Sequence, residues 1–128
     1  MSVIGVGVDA IEVQRVRVAV ARTPRLVARL FTEQERAVCT SRCGDLKTGG
    51  LAARFAAKEA VAKSLGTGIA GFGFRDVEVV PDVRGKPEVS LHGGAADIAA
   101  RLGVTNVQLS LTVSVEVAIA NVVAEGAS

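Results

Sequence analysis

Apolar and polar positions alternate at the start of the chain. From Ser2 to Asp9 the β-branched residues Val6 and Val8 fall on one side and Gly5, Gly7 and Asp9 on the other, the period of two that marks a strand. From Ile11 to Arg22 the apolar spacing becomes three and four, which predicts a helix stopped by Thr23-Pro24, because proline drives the preceding residue out of helical geometry. Thr32-Glu33-Gln34-Glu35 reads as a capping box opening a short helix. Gly50 to Leu65, rich in Ala and Lys and free of Pro, is the strongest helical segment, with Gly66 as its C-terminal cap. Val77 to Val80 and Glu88 to Leu91 read as strands joined by a turn at Arg84-Gly85-Lys86-Pro87. Gly94 to Leu102 is a helix ending at Gly103, and the long alternation from Val107 to Val123 is two strands or one bent strand. Helices interleaved with antiparallel strands predict an α+β fold: a mainly antiparallel sheet packed on a long central helix.

Composition narrows the classes of function. The chain has 128 residues without an internal repeat, low-complexity tract or linker, and the stretch Gly66 to Gly73 is its only marked shift in composition. A single domain over residues 1–128 is expected. With 15 Lys and Arg against 13 Asp and Glu the net charge is +2, well short of an obligate nucleic-acid binder. Aromatic residues make up 3%, all Phe, which leaves few platforms for stacking single-stranded bases. Cys39 and Cys43 are too few for a disulfide framework and lack a nearby His for a zinc site. No apolar run is long enough to span a membrane and Met1 to Ala10 lacks signal-peptide features, so the cytoplasm is the expected compartment.

The candidate chemistry lies in two carboxylates. Asp9 shares a strand face with Gly5 and Gly7, where another element can approach the backbone closely. Glu59 lies mid-helix in line with Ala52, Phe55, Ala56 and Ala62. If that helix packs on the glycine face, the two acids meet in a dry pocket, where like charges raise a pKa or recruit a cation. An all-oxygen donor set favours a hard cation such as Mg²⁺, which one or two carboxylates hold together with substrate phosphates. Arg54, Lys58 and Lys63 flank Glu59 with positive charge, and the loop after Gly66 could offer backbone amides to an anion. The same spacing also fits a routine surface pair between Glu59 and Lys63, with Asp9 capping a turn. Likewise, the arginines Arg15, Arg17, Arg22, Arg25 and Arg29 fit a solvated helix face as well as a binding surface.

Together the motifs carry a resemblance. Ile4-Gly-Val-Gly-Val-Asp9 with Glu12 and Arg15, Phe31-Thr32 with Glu35, and Leu51-Ala-Ala-Arg-Phe-Ala-Ala-Lys-Glu-Ala60 with Lys63 form its first part. With Gly66-Thr-Gly68 and Gly85-Lys-Pro87 they resemble the holo-(acyl-carrier-protein) synthases, the small phosphopantetheinyl transferase family, over nearly the whole chain. The resemblance implies that coenzyme A donates its 4′-phosphopantetheine to a serine of an apo acyl carrier protein, releasing adenosine 3′,5′-bisphosphate. It implies Asp9 and Glu59 as ligands of Mg²⁺, and Asp9, Glu59 and Lys63 as the catalytic set. Arg54, Lys58, Lys63, Gly66 and Gly68 become candidates for coenzyme contacts, and Arg15 and Arg22 for docking the acidic carrier protein. It also implies a homotrimer with active sites at its interfaces.

One family signature is absent. Where the family carries a histidine near the C-terminus, Ser110-Leu-Thr112-Val113-Ser114 places Val113, which continues the apolar alternation. The single histidine, His92, reads as a surface or turn residue. The loss leaves a second reading open, a catalytically impaired or repurposed member that still binds coenzyme A or the carrier protein.

Overall fold

The computed structural model describes residues 1–68 and 71–127. Strand β1 spans Ser2–Glu12 and runs directly into helix α1, Val13–Arg22. The helix starts two residues later than its apolar spacing predicts because Ile11 and Glu12 continue the ladder, opposite Ala118 and Val117. Two short helices follow: α2, Leu26–Leu30, which the sequence pattern did not reveal, and α3, Glu33–Val38, opened by the expected capping box. The long helix α4 spans Thr48–Ser64. Strands β2, Val77–Pro81, and β3, Pro87–Leu91, form a hairpin whose turn is organised by Asp82, which accepts from the amides of Arg84 and Lys86. Helix α5, Gly93–Leu102, leads into β4, Val104–Val113, and β5, Val117–Gly126. The alternation from Val107 onward is thus two strands, broken where Ser114 Oγ accepts from the amides of Glu116 and Val117.

The larger sheet is antiparallel in the order β1-β5-β4, and β2 and β3 form a separate two-stranded sheet. Helix α4 lies across the inner face of the larger sheet and is buried nearly all round. Its Ala-rich sequence allows this: Ala52, Ala56 and Ala60 are fully buried and bring backbone rather than side chains to the contact. The approach is closest at the two glycines of β1. A Cβ built on Gly7 would stand 1.9 Å from the Ala60 carbonyl oxygen, and one on Gly5 1.9 Å from that of Ser64. Only glycine fits there.

At its far end α4 closes with the amide of Gly66 donating to the Lys63 carbonyl and that of Thr67 to Ala62, and Gly66 has φ +74°. This is the paired closure that a left-handed glycine permits. One apolar cluster joins α4 to β2, α5 and the β4 and β5 faces through Val61, Val77, Val79, Ile98 and Val122. A second, with Val13, Val16, Val27, Phe31 and Leu51, packs α1 and α2 against the first half of α4.

The glycine contact makes a direct prediction for stability. Gly7→Ala forces a methyl into a helix carbonyl and should destabilise the fold by about 3 kcal/mol or more in urea unfolding, while Val83→Ala, at a fully exposed position, changes little. Equal stabilities for the two variants would contradict the close packing.

Candidate active site

The β1–α4 contact brings Asp9 and Glu59 to one groove. Its volume is about 370 Å³, and its lining combines the two carboxylates and Arg15 with apolar residues that include Phe31 and Phe55. Asp9 lies on the same face of β1 as Gly7, and Glu59 immediately precedes Ala60 in α4. The proton affinity of Glu59 is raised above the ordinary carboxylate range, first by partial burial and then by the charge of Asp9, with Lys63 opposing both.

Lys63 serves Asp9 rather than Glu59. Its Nζ donates to the Val8 carbonyl at 2.9 Å and to Asp9 Oδ1 at 3.2 Å, tying the carboxylate to the backbone of β1. The side chain of Lys63 remains 54% exposed, so it is accessible to a ligand oxygen as well. Among the described residues no three His, Cys, Asp or Glu side chains gather as a ready-made metal cluster. The donor set is therefore two carboxylates, one of them destabilised by its neighbour's charge. That chemistry fits a hard divalent cation completing its shell with water and phosphate oxygens.

Two expected phosphate contacts lie elsewhere. Lys58 is completely buried and donates to Glu35 Oε1 at 2.7 Å, to the Phe74 carbonyl at 2.9 Å and to the Val77 carbonyl, leaving no N–H for a phosphate. Burial lowers its pKa, and the adjoining Glu35 carboxylate works in the opposite direction. Arg54 is also buried; its Nε donates to the Val79 carbonyl at 3.0 Å and a terminal nitrogen to the Gly50 carbonyl at 3.2 Å. It ties α4 to β2. The amide of Gly66 is engaged in closing α4, and Gly68 lies just beyond it with φ +60°. The expected amide-bearing loop extends over Ile69 and Ala70, which lie outside the described residues.

Arg15 lines the groove, and it also borders, with Arg22, Val18 and Ala19, a shallow hollow on the exposed side of α1. Arg17, Arg25 and Arg29 are likewise exposed. His92 is half-exposed and its Nε2 lies 3.2 Å from Glu78 Oε1, at the start of α5 and away from the groove. Val113 faces the start of α4, where its Cγ1 lies 3.1 Å from a Cβ built on Gly49. Gly49 is about 15 Å along the helix from Glu59 at 1.5 Å per residue. A side chain at 113 therefore stands toward the opposite end of α4 from Glu59. Cys39 is buried, which raises its thiol pKa and makes it unreactive; Cys43 is an exposed free thiol.

Sequence reasoning missed Glu35 as the countercharge of Lys58 and missed the apolar wall formed by Leu26, Leu30, Phe31 and Phe55. The first carried a faint signal, since a lysine among the alanines of a buried helix needs an anion. The second lay in the four-residue spacing of Leu26 and Leu30.

Comparison with known proteins agrees with this arrangement. Residues 5–120 match the 4′-phosphopantetheinyl transferase superfamily. The chain belongs to that family. A holo-(acyl-carrier-protein) synthase of Desulforudis audaxviator is 47% identical over 127 residues, covering 98% of this chain and 95% of the relative. The crystal structure of the Neisseria meningitidis holo-(acyl-carrier-protein) synthase superposes with a TM-score of 0.86 at 30% identity, covering 97% of this chain and 99% of that one. The Bacillus anthracis holo-(acyl-carrier-protein) synthase, described in complex with CoA (3′,5′-ADP), has a TM-score of 0.78 at 35% identity, with 98% of each chain covered. The protein is thus a phosphopantetheinyl transferase of the small α+β kind. Among the described residues no helix of the transferase is long and apolar enough to cross a membrane.

The raised pKa of Glu59 fixes the sign of a pH effect. Because the folded state holds this proton more tightly than the unfolded chain, its contribution to stability falls as pH rises through the folded value. Glu59→Gln should melt higher than the parent transferase at neutral pH by about 2–4 °C, with the gap closing below the ordinary carboxylate value of about 4.3. Millimolar Mg²⁺ should raise the melting temperature of the parent and not of Asp9→Asn. A variant that melts lower at neutral pH would show that Glu59 is a net stabiliser.

Proposed function

We propose that the transferase moves 4′-phosphopantetheine from coenzyme A to a serine hydroxyl of an acidic apo acyl carrier protein, with Mg²⁺ as cofactor. The observation that carries this reading is the groove itself, lined by two carboxylates, Arg15 and an apolar wall, with the accessible Lys63 bonded to Asp9. The Bacillus anthracis relative's complex with CoA supports coenzyme A as the donor. In the reaction the serine Oγ forms a bond to the phosphorus carrying pantetheine and gives up its proton to a neighbouring groove carboxylate, the pyrophosphate P–O bond breaks, and adenosine 3′,5′-bisphosphate leaves with the electron pair.

Asp9 and Glu59 would hold the Mg²⁺, which supplies neutralisation of charge on the pyrophosphate. The residues of the chain do the rest. Lys63 keeps Asp9 oriented through its bonds to Oδ1 and the Val8 carbonyl, and is open to a phosphate oxygen. Arg15 and the exposed arginines around it attract an acidic carrier and orient its serine, while Phe31 and Phe55 exclude water beside it.

The outer face of the larger sheet supports a homotrimer. Val6 and Val8 are 66% and 54% exposed, and Val6 stands directly across from Val123 and Ala10 across from Ile119. Asn121 interrupts this row across from Val8, and Gln108, Ser110 and Thr112 border it on β4, so an apolar strip with a polar margin is offered to a subunit contact. Two further copies of this chain are the occupants that fit the reading.

Incubation with apo carrier protein, coenzyme A and Mg²⁺ should give a phosphopantetheine adduct by mass spectrometry. Asp9→Ala or Glu59→Ala should abolish it, and Arg15→Glu should raise the carrier KM by about tenfold or more and weaken its salt dependence. No adduct with any divalent metal, while coenzyme A still raises the melting temperature, would instead favour a binding protein that has lost catalysis. Sedimentation should give three times the chain mass, and a Val6→Asp/Val8→Asp variant should sediment as a monomer and lose transfer. A fully active monomer would rule out the trimer.

A further inference from the structure

Lys58 and Glu35 form an ion pair in which both side chains are completely buried, with Nζ and Oε1 2.7 Å apart. It takes no part in the chemistry proposed above, because every donor of Lys58 is engaged within the protein. Such a pair is also a weak source of stability, since apolar side chains of similar shape generally serve as well once desolvation is counted. What an apolar pair lacks is direction. Lys58 donates to the carbonyls of Phe74 and Val77, while Glu35 Oε2 accepts from the Val79 amide at 2.9 Å and Oε1 from the Thr32 amide at 3.0 Å. One ammonium and one carboxylate thereby align α3, α4, the turn at Phe74–Asp76 and β2.

Two lines run from this pair to the groove. The Lys58 ammonium lies 5.6 Å from the centre of the Phe31 ring, within reach of its π face. Phe74, whose carbonyl Lys58 holds, stacks on Phe55 with ring centroids 5.4 Å apart and 19° between planes. Phe31 and Phe55 are both groove-lining residues, whereas Lys63 and Asp9 are linked to each other and not to the pair. The buried pair therefore stands behind the apolar wall of the groove and not behind its phosphate end.

We propose that Lys58 and Glu35 are positioning residues that set the Phe31–Phe55 wall, and through it the fit of the carrier protein, while leaving the coenzyme A end unaffected. This rests on reading the groove as the carrier site. The natural test neutralises both partners at once, because Lys58→Met alone leaves a buried carboxylate without its cation. The Lys58→Met/Glu35→Gln variant should show a carrier KM raised by about tenfold, with the coenzyme A KM within about twofold and kcat within about threefold of the parent. In aromatic carbon–proton NMR spectra the protein contributes only four Phe rings. Those of Phe31 and Phe55 should shift or broaden while Phe72 stays in place. A folded double variant with a parental carrier KM, or with unmoved Phe31 and Phe55 signals, overturns the proposal. If the double variant does not fold, Phe74→Leu decides: it keeps the ion pair but removes the stack on Phe55, and should raise the carrier KM several-fold, a parental value again overturning the proposal. If the parent transfers nothing, the functional reading fails on its own, and the NMR comparison alone still upholds or overturns the positioning of the two rings.

Discussion

The groove that holds Asp9 and Glu59 exists because a helix backbone touches a strand backbone. Where Gly5 and Gly7 meet the carbonyls of Ser64 and Ala60, no side chain separates β1 from α4. The candidate site residues are neighbours of those contact points: Asp9 lies two positions beyond Gly7 on the same face, Glu59 precedes Ala60 and Lys63 precedes Ser64. The geometry of the carboxylates is thus inherited from the tightest packing in the fold.

The charges around this contact are sorted by accessibility. Lys58 sits inside with all three donors on protein acceptors and Arg54 beside it bonds the Val79 and Gly50 carbonyls, so that they fasten α4 to β2 and to α3. Lys63 lies at the boundary, bonded to Asp9 yet open to solvent. Arg15, Arg22, Arg25 and Arg29 are outside. A net charge of only +2 therefore coexists with a surface arc of arginines, because the acids that balance them are distributed elsewhere.

Much of this was legible in the sequence, and the limits were physical. Period-two spacing exposed the glycine face of β1, and the alanine content of α4 indicated close approach, so the meeting of Asp9 and Glu59 followed from local patterns. The roles of Lys58 and Arg54 did not, because helical spacing gives a side chain's face but not its partner. Glu35 lies 23 residues away and the Val79 carbonyl 25 residues away. The boundary between β1 and α1 was misplaced by the apolar Ile11, which suits either element until β5 pairs with it. The distance of Val113 from Glu59 was equally hidden, since it depends on which end of α4 the end of β4 meets.

Strand β5 occupies the middle of the larger sheet, although it follows every other described element in the chain. Neither β1 nor β4 can complete its ladder until β5 arrives. During synthesis on the ribosome, the alanine-rich α4 therefore emerges well before the surface that will cover it is complete. Pairing the first strand with the last also imposes long loop closures, which favour slow folding and leave apolar surface open to chaperones or to premature association. The arrangement that gives the two groove carboxylates so firm a seat makes that seat among the last parts of the molecule to be assembled.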